Sequence, residues 1–182
     1  MILSDKSIKA RDGLVSPIGK GCLQPNTVDL RLDREFHRMK PPLADELLDI
    51  RKGDPKRFYD LNTIPEKGFL ILNPGECILA STLEVIRVPL DLCAKVEGKS
   101  TNARTFLFVT ATGGFIDSGF EGTITLELFN ASRYRLPLRY MQRICQIQFS
   151  ELDQLVEHRY GEVGNHYQHQ SGVQTPIGEN NG

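Results

Sequence analysis

From Gly68 to Ser150 the chain is an almost unbroken series of short apolar runs cut by turn residues, which leaves no room for helices of ordinary length. Phe69–Leu72 stops at Asn73-Pro74-Gly75. Cys77–Ser81, Leu83–Val88, Leu92–Val96, Thr105–Thr110, Gly122–Asn130 and Arg143–Ser150 follow in the same manner. Gly, Pro and Asn at the breaks supply the backbone conformations that hairpins need. Sixteen Gly and ten Pro in 182 residues agree with this pattern. The expected architecture is mainly β, a sandwich, jelly roll or barrel with a few short helices. At 40% hydrophobic residues, the length suits one domain with one sizeable core.

The flanks read differently. Residues 4–11 suit a short helix, with Ser4 as its N-cap and Gly13 beyond its end. Thr27–Leu32 alternates polar and apolar side chains, as a half-buried strand does. The charged, Pro-containing stretch 38–58 reads as a surface excursion, in which Ala44–Ile50 is expected to form a short helix. Residues 1–156 therefore form the β domain. Residues 157–182 form a polar, Gly-rich tail that is expected to be mobile by itself and to order over a ligand.

Charge narrows the possible partners. Lys and Arg number 22 against 23 Asp and Glu, for a net charge of -1, so no overall field favours a nucleic-acid backbone. No stretch approaches the roughly 20 apolar residues that span a bilayer, and Met1–Lys6 does not read as a secretory signal. Cys22, Cys77, Cys93 and Cys145 are scattered, with no Cys-x-x-Cys pair and no His at zinc-ligand spacing. They read as buried, reduced thiols, and the expected location is the cytoplasm.

Four segments carry side chains suited to chemistry. Gly98-Lys99-Ser100-Thr101-Asn102-Ala103-Arg104 follows an apolar strand; its glycine, cation and hydroxyls suit phosphate, or equally an ordinary loop capping a helix at Ser100. Thr112–Gly122 places four glycines around Asp117. A tight hairpin explains them. So does a nucleoside pocket in which Asp117 accepts from a sugar hydroxyl and Phe120 packs on the sugar. In Thr123–Asn130, period two puts Ile124, Leu126 and Leu128 on one face and Thr125, Glu127 and Phe129 on the other. If that second face lines a pocket, desolvation raises the Glu127 carboxyl toward a range useful for moving protons. The tail, from Tyr160 to Gln170, adds groups that stack or bind phosphate.

Taken in order, these motifs resemble the dCTP deaminases. The segment Gly98–Arg104 is similar to their Gly-Arg-Ser-Ser-x-Ala-Arg motif, and Gly114–Glu127 to their Ile-Asp-x-Gly-(Trp/Phe)-x-Gly-x-(Ile/Val)-x-Leu-Glu block. Gln24–Leu32 and Tyr167–Gln170 match as well, so the likeness covers nearly the whole chain, least in 38–58. It implies the trimeric, distorted jelly roll shared with dUTPases, which carry an apolar residue where this chain has Glu127. It also implies roles. Glu127 would be the general acid and base, with Ser100 and Arg104 orienting water and base. Asp117 would hold the 3′-hydroxyl, and Phe120 would fill the place of a 2′-hydroxyl. Lys99, Thr101, Asn102, Ala103, Thr112, Gly113, Thr125, Leu126, Tyr160, His166 and Gln170 would complete the nucleotide site. Mg²⁺ would bind through the triphosphate, with no metal ligand from protein side chains and no zinc.

Four positions depart from the family pattern. Lys99 stands for Arg, Gly113 for Ala beside the base, His166 for a phosphate-binding Lys, and Phe115 for the Arg of deaminase-only enzymes. The Gly-aromatic-Ile-Asp segment resembles instead the bifunctional enzymes that carry dCTP through dUTP to dUMP and pyrophosphate. The expected ligands are dCTP and dUTP, with dTTP as an inhibitor, in a homotrimer that binds neither nucleic acid nor membrane. A dUTPase without deaminase activity and a non-catalytic deoxynucleotide-binding regulator are the alternatives.

Overall fold

The computed structural model describes residues 1–162, 164 and 166–178. Its strands are β1 (Val15–Ser16), β2 (Val28–Met39), β3 (Tyr59–Thr63), β4 (Leu70–Leu72), β5 (Cys77–Thr82), β6 (Val85–Arg87), β7 (Leu92–Gly98), β8 (Leu107–Phe108), β9 (Phe115–Ile116), β10 (Glu121–Gly122), β11 (Thr125–Asn130), β12 (Leu136–Leu138) and β13 (Arg143–Glu151). Two short helices, α1 (Asp5–Ala10) and α2 (Ser100–Ala103), and a 3₁₀ turn at Pro55–Phe58 complete the described elements. Ser4 caps α1 by accepting from the Ser7 amide.

The main sheet runs β8-β11-β5-β2-β13-β7-β9, with β3 added beside β2, and there are two small sheets, β1-β6-β10 and β12-β4. The long strand β2 curls it. Residues Val28–Arg31 pair with β13, while Glu35–Met39 pair with β3, and a register shift between Leu32 and Phe36 marks the bend. Inward-facing Leu30, Leu32, Leu126, Leu128, Ile147 and Phe149 are wholly buried in one continuous core. The result is the mainly β architecture that the strand pattern implied, with the curled sheet of the distorted jelly roll that the resemblance implied. Among the described residues no helix is long and apolar enough to cross a membrane.

Several boundaries move. β2 extends through Met39, seven residues past the expected Leu32, because β3 offers it a partner. The expected strand 105–110 shrinks to Leu107–Phe108. Residues 44–50 form irregular chain with a turn at 44–45 rather than a helix, with Asp45 at φ +61°. A seven-residue helix without a packed face cannot repay nucleation, and Leu43 and Leu47 stand 74% and 78% exposed. The thiols also divide: Cys22 and Cys145 are buried, Cys93 is half-buried and Cys77 is exposed, all four unpaired.

Candidate active site

Strand β11 shows the expected alternation, with Leu126, Leu128 and Asn130 inside and Thr125, Glu127 and Phe129 half-buried on the outer face. That outer face is roofed. A cavity of about 310 Å³ lies over it, lined by β11, Leu79 of β5, the segment from Gly113 to Phe120 and the tail; that segment is no hairpin, since β9 pairs with β7 and β10 with β6. It collects Gly113, Asp117, Phe120, Thr125, Glu127, Tyr160 and Gln170, all marked from sequence. Glu127 stands opposite Leu79 of β5 and accepts a hydrogen bond at Oε2 from the Ala111 amide, 3.2 Å away. Burial pushes its carboxyl above the usual carboxylate range, and the Ala111 amide offsets that rise in part. Phe120 packs edge-to-face on Tyr160, with ring centroids 5.4 Å apart, and burial raises the Tyr160 hydroxyl.

The tail is held down by its backbone. Thr123 N–H donates to Gln170 O at 3.0 Å, His169 N–H to Glu121 O at 2.7 Å, and Tyr160 N–H to Ser118 O at 2.8 Å. The Gln170 side-chain amide donates back to Thr123 O, and that of Gln168 to Gly119 O. Gln174 N–H reaches Thr125 Oγ1 at 3.1 Å, and Val173 and Thr175 are buried. This close approach explains the glycines. A Cβ on Gly119, whose φ is +89°, would lie 2.7 Å from Arg159 Cβ, and one on Gly122 would lie 2.9 Å from Gln170 O. Sequence composition left the tail without a seat because its partners are backbone groups, which no side-chain pattern advertises.

The second half of the expected site lies elsewhere. Ser100, Thr101, Ala103 and Arg104 are exposed on and just after α2, and none of them lines the Glu127 cavity. Asn102 is structural, its amide donating to the carbonyls of Arg143 and Ile144. Lys99 is turned inward: its Nζ donates to Oδ2 of the wholly buried Asp29 at 2.8 Å, where Arg143 also binds at 3.1 Å. Lys99 is thereby paired with a buried carboxylate. The Leu126 side chain, by strand alternation, points into the core. Thr112 and His166 are exposed and outside the cavity.

Sequence reasoning missed Leu79, Phe115, Ile116, Ile124, Tyr167, Gln174 and Pro176 as cavity lining. For Leu79 the missing information was the β5–β11 register; for Gln174 and Pro176 it was the tail's path. The completed lining holds two carboxylates, Asp117 and Glu127, and among the described residues no Lys, Arg or His. Among the described residues no group of three or more His, Cys, Asp or Glu is placed to hold a metal ion.

Comparison with known proteins gives a consistent result. The dCTP deaminase-like family matches residues 2–152. A protein of Dictyoglomus turgidum named "dCTP deaminase, dUMP-forming" is 38% identical over 179 residues, 94% of this chain and 92% of that protein. One of the same name from Halobacterium salinarum is 40% identical over 185 residues, covering 96% and 93%. The crystal structure of 2′-deoxycytidine 5′-triphosphate deaminase from Agrobacterium tumefaciens superposes with a TM-score of 0.65 at 21% identity, over 81% of this chain and 48% of that one. That last likeness concerns the fold.

Proposed function

Since this chain belongs to the dCTP deaminase-like family, we propose that it hydrolyses dCTP to dUTP and ammonia and carries dUTP on to dUMP and pyrophosphate. The observation that carries the first step is the half-buried Glu127 carboxyl, raised by burial, in a nucleoside-sized cavity beside Asp117 and Phe120. Relatives named dUMP-forming, alike over nine-tenths of the chain, support the second step.

Deamination adds water across C4 and expels the amino group. Glu127 as carboxylate takes a proton from water as its oxygen bonds to C4. One water proton ends on N3 and the other leaves with the ammonia, and Glu127 handles both transfers. A carboxylate of ordinary acidity would be a poor donor for the second transfer, and desolvation improves it. In this reading Asp117 accepts from the 3′-hydroxyl, and the Phe120 ring, packed edge-to-face on Tyr160, occupies the side where a 2′-hydroxyl would stand.

A triphosphate cannot rest against two carboxylates without cations. We therefore place the active site between copies in a homotrimer, with Ser100 and Arg104 of a neighbouring copy closing over the Glu127 cavity. Their exposure and the cavity's lack of cations support this assignment. A triphosphate-bound Mg²⁺ fits the same deficit by offsetting phosphate charge. Product analysis from dCTP tests the reading. Ammonia, dUMP and pyrophosphate in equal amounts are expected. Pyrophosphate from dUTP with no ammonia from dCTP would leave a dUTPase alone, and binding without turnover would leave a regulator.

A further inference from the structure

A ring of four side chains and carbonyls closes beneath α2. Lys99 Nζ donates to Asp29 Oδ2 at 2.8 Å, and the Arg143 guanidinium donates to the same oxygen at 3.1 Å. The Arg143 carbonyl in turn accepts from the Asn102 side-chain amide at 3.0 Å, as does that of Ile144. Lys99 is the N-cap of α2 and Asn102 lies within it, so the ring ties the helix to β2 and β13 at two points.

This helix cannot hold itself. At four residues it is far below the length at which a helix is stable alone, and no side chain caps its N-terminus. Lys99 and Asn102, three residues apart, reach toward the sheet. Ser100 and Arg104, four apart, are both left exposed. The anchors and the free groups thus divide between two sides of one turn.

The ion pair is a poor device if stability is its only purpose. Asp29 is wholly buried, and its Oδ1 has no hydrogen-bond partner. Apolar residues of similar size often stabilise such a place as well as a buried ion pair does. What the charge adds is direction. It draws Lys99 and Arg143 to a single oxygen, and with them the start of α2 and the carbonyl that receives Asn102.

Building on the site shared between copies proposed above, we infer that Asp29 is a positioning residue for deamination. Through Lys99 and Arg143 it fixes α2, so that Ser100 and Arg104 meet the Glu127 cavity of a neighbouring copy at a set place. Asp29 touches no substrate, and it serves its neighbour's site rather than its own.

The test follows ammonia release from dCTP by the full chain. Asp29→Asn keeps the shape and removes the charge; kcat is expected to fall about 10²-fold, the scale of a displacement of about 1 Å. Lys99→Met carries the same test should Asp29→Asn fold poorly. Lys99→Arg keeps the cation and is expected to retain kcat within about threefold. Refolding mixed chains then assigns Asp29 to one half of the site. Asp29→Asn with Glu127→Gln is expected to recover about one quarter of wild-type activity, since an intact Glu127 and an intact α2 anchor come from different copies. Asp29→Asn with Arg104→Ala is expected to stay at the level of its parents, because both changes fall on α2.

A residue that only stabilised the fold would leave α2 intact in every folded chain, so recovery with Arg104→Ala overturns the inference. No recovery with Glu127→Gln overturns it as well. So does an unchanged kcat in folded Asp29→Asn; if KM for dCTP fell at the same time, Lys99 would be a phosphate ligand that Asp29 holds back. The pair Glu127→Gln with Arg104→Ala carries no change at Asp29. Failure of that pair to recover removes the shared site itself, which tells the two failures apart.

Discussion

The Ala111 amide donates to Glu127 Oε2 across 3.2 Å, which ties the carboxylate on β11 to the loop between β8 and β9. This donor directs the side chain without cancelling the effect of its burial. A carboxyl held this way is oriented, desolvated and still free on its second oxygen to meet water.

Glu127→Gln keeps the shape and the Ala111 contact but cannot accept a proton. Ammonia release from dCTP is expected to fall by about 10²–10⁴-fold, with nucleotide affinity nearly unchanged. Parallel ammonia assays and calorimetric titration check both halves. Release at the wild-type rate would refute the role of Glu127.

The raised Glu127 carboxyl has consequences for pH. As a base it must be ionised, so the acidic limb of kcat/KM is expected above the ordinary carboxylate range and absent from residual Glu127→Gln activity. For stability the sign runs against the usual carboxylate case. A folded-state pKa above the unfolded one favours folding with the proton on, so that contribution is present in acid and lost as pH rises through the folded value. Glu127→Gln is expected to melt above wild type at neutral pH, with the gap closing in acid. Melting curves from pH 4 to 8 decide it.

The proposed sharing of the site between copies predicts complementation. Glu127→Gln and Arg104→Ala chains are each expected to be inactive. Unfolded together in equal amounts and refolded, they should recover about one quarter of wild-type activity, because one site in four would draw both intact residues from different copies. No recovery would place both residues in a single protomer.

Asp29 binds Lys99 and Arg143 while wholly buried. Asp29→Ala leaves two cations facing an apolar hole and should cost about 3 kcal/mol in urea unfolding. Lys99→Met should cost less, since Arg143 still pairs the carboxylate. Equal costs would contradict the geometry.

Gly119→Ala brings a Cβ to 2.7 Å from Arg159 Cβ at a φ of +89°. The tail should lift from β10 and β11, raising KM for dCTP several-fold more than it lowers kcat. Proteolysis near Arg159 should quicken in parallel.

Strand periodicity alone placed Glu127 and Thr125 on the face opposite Leu126 and Leu128, and the glycines around Asp117 marked the tight segment beside them, though not that its two ends pair with different strands. Both follow from local rules, alternation along a strand and the space a glycine leaves. Resemblance named the residues around a nucleotide, but it could not assign them to one protomer or to two. Only the tertiary structure left Ser100 and Arg104 outside the lining of the Glu127 cavity, turned Lys99 toward Asp29 across a separation of 70 residues, and laid the tail against Thr123. Burial, ion pairing and backbone docking depend on which distant segments meet. That is a property of the packed sheet, whereas the pattern within each strand is already written in neighbouring residues.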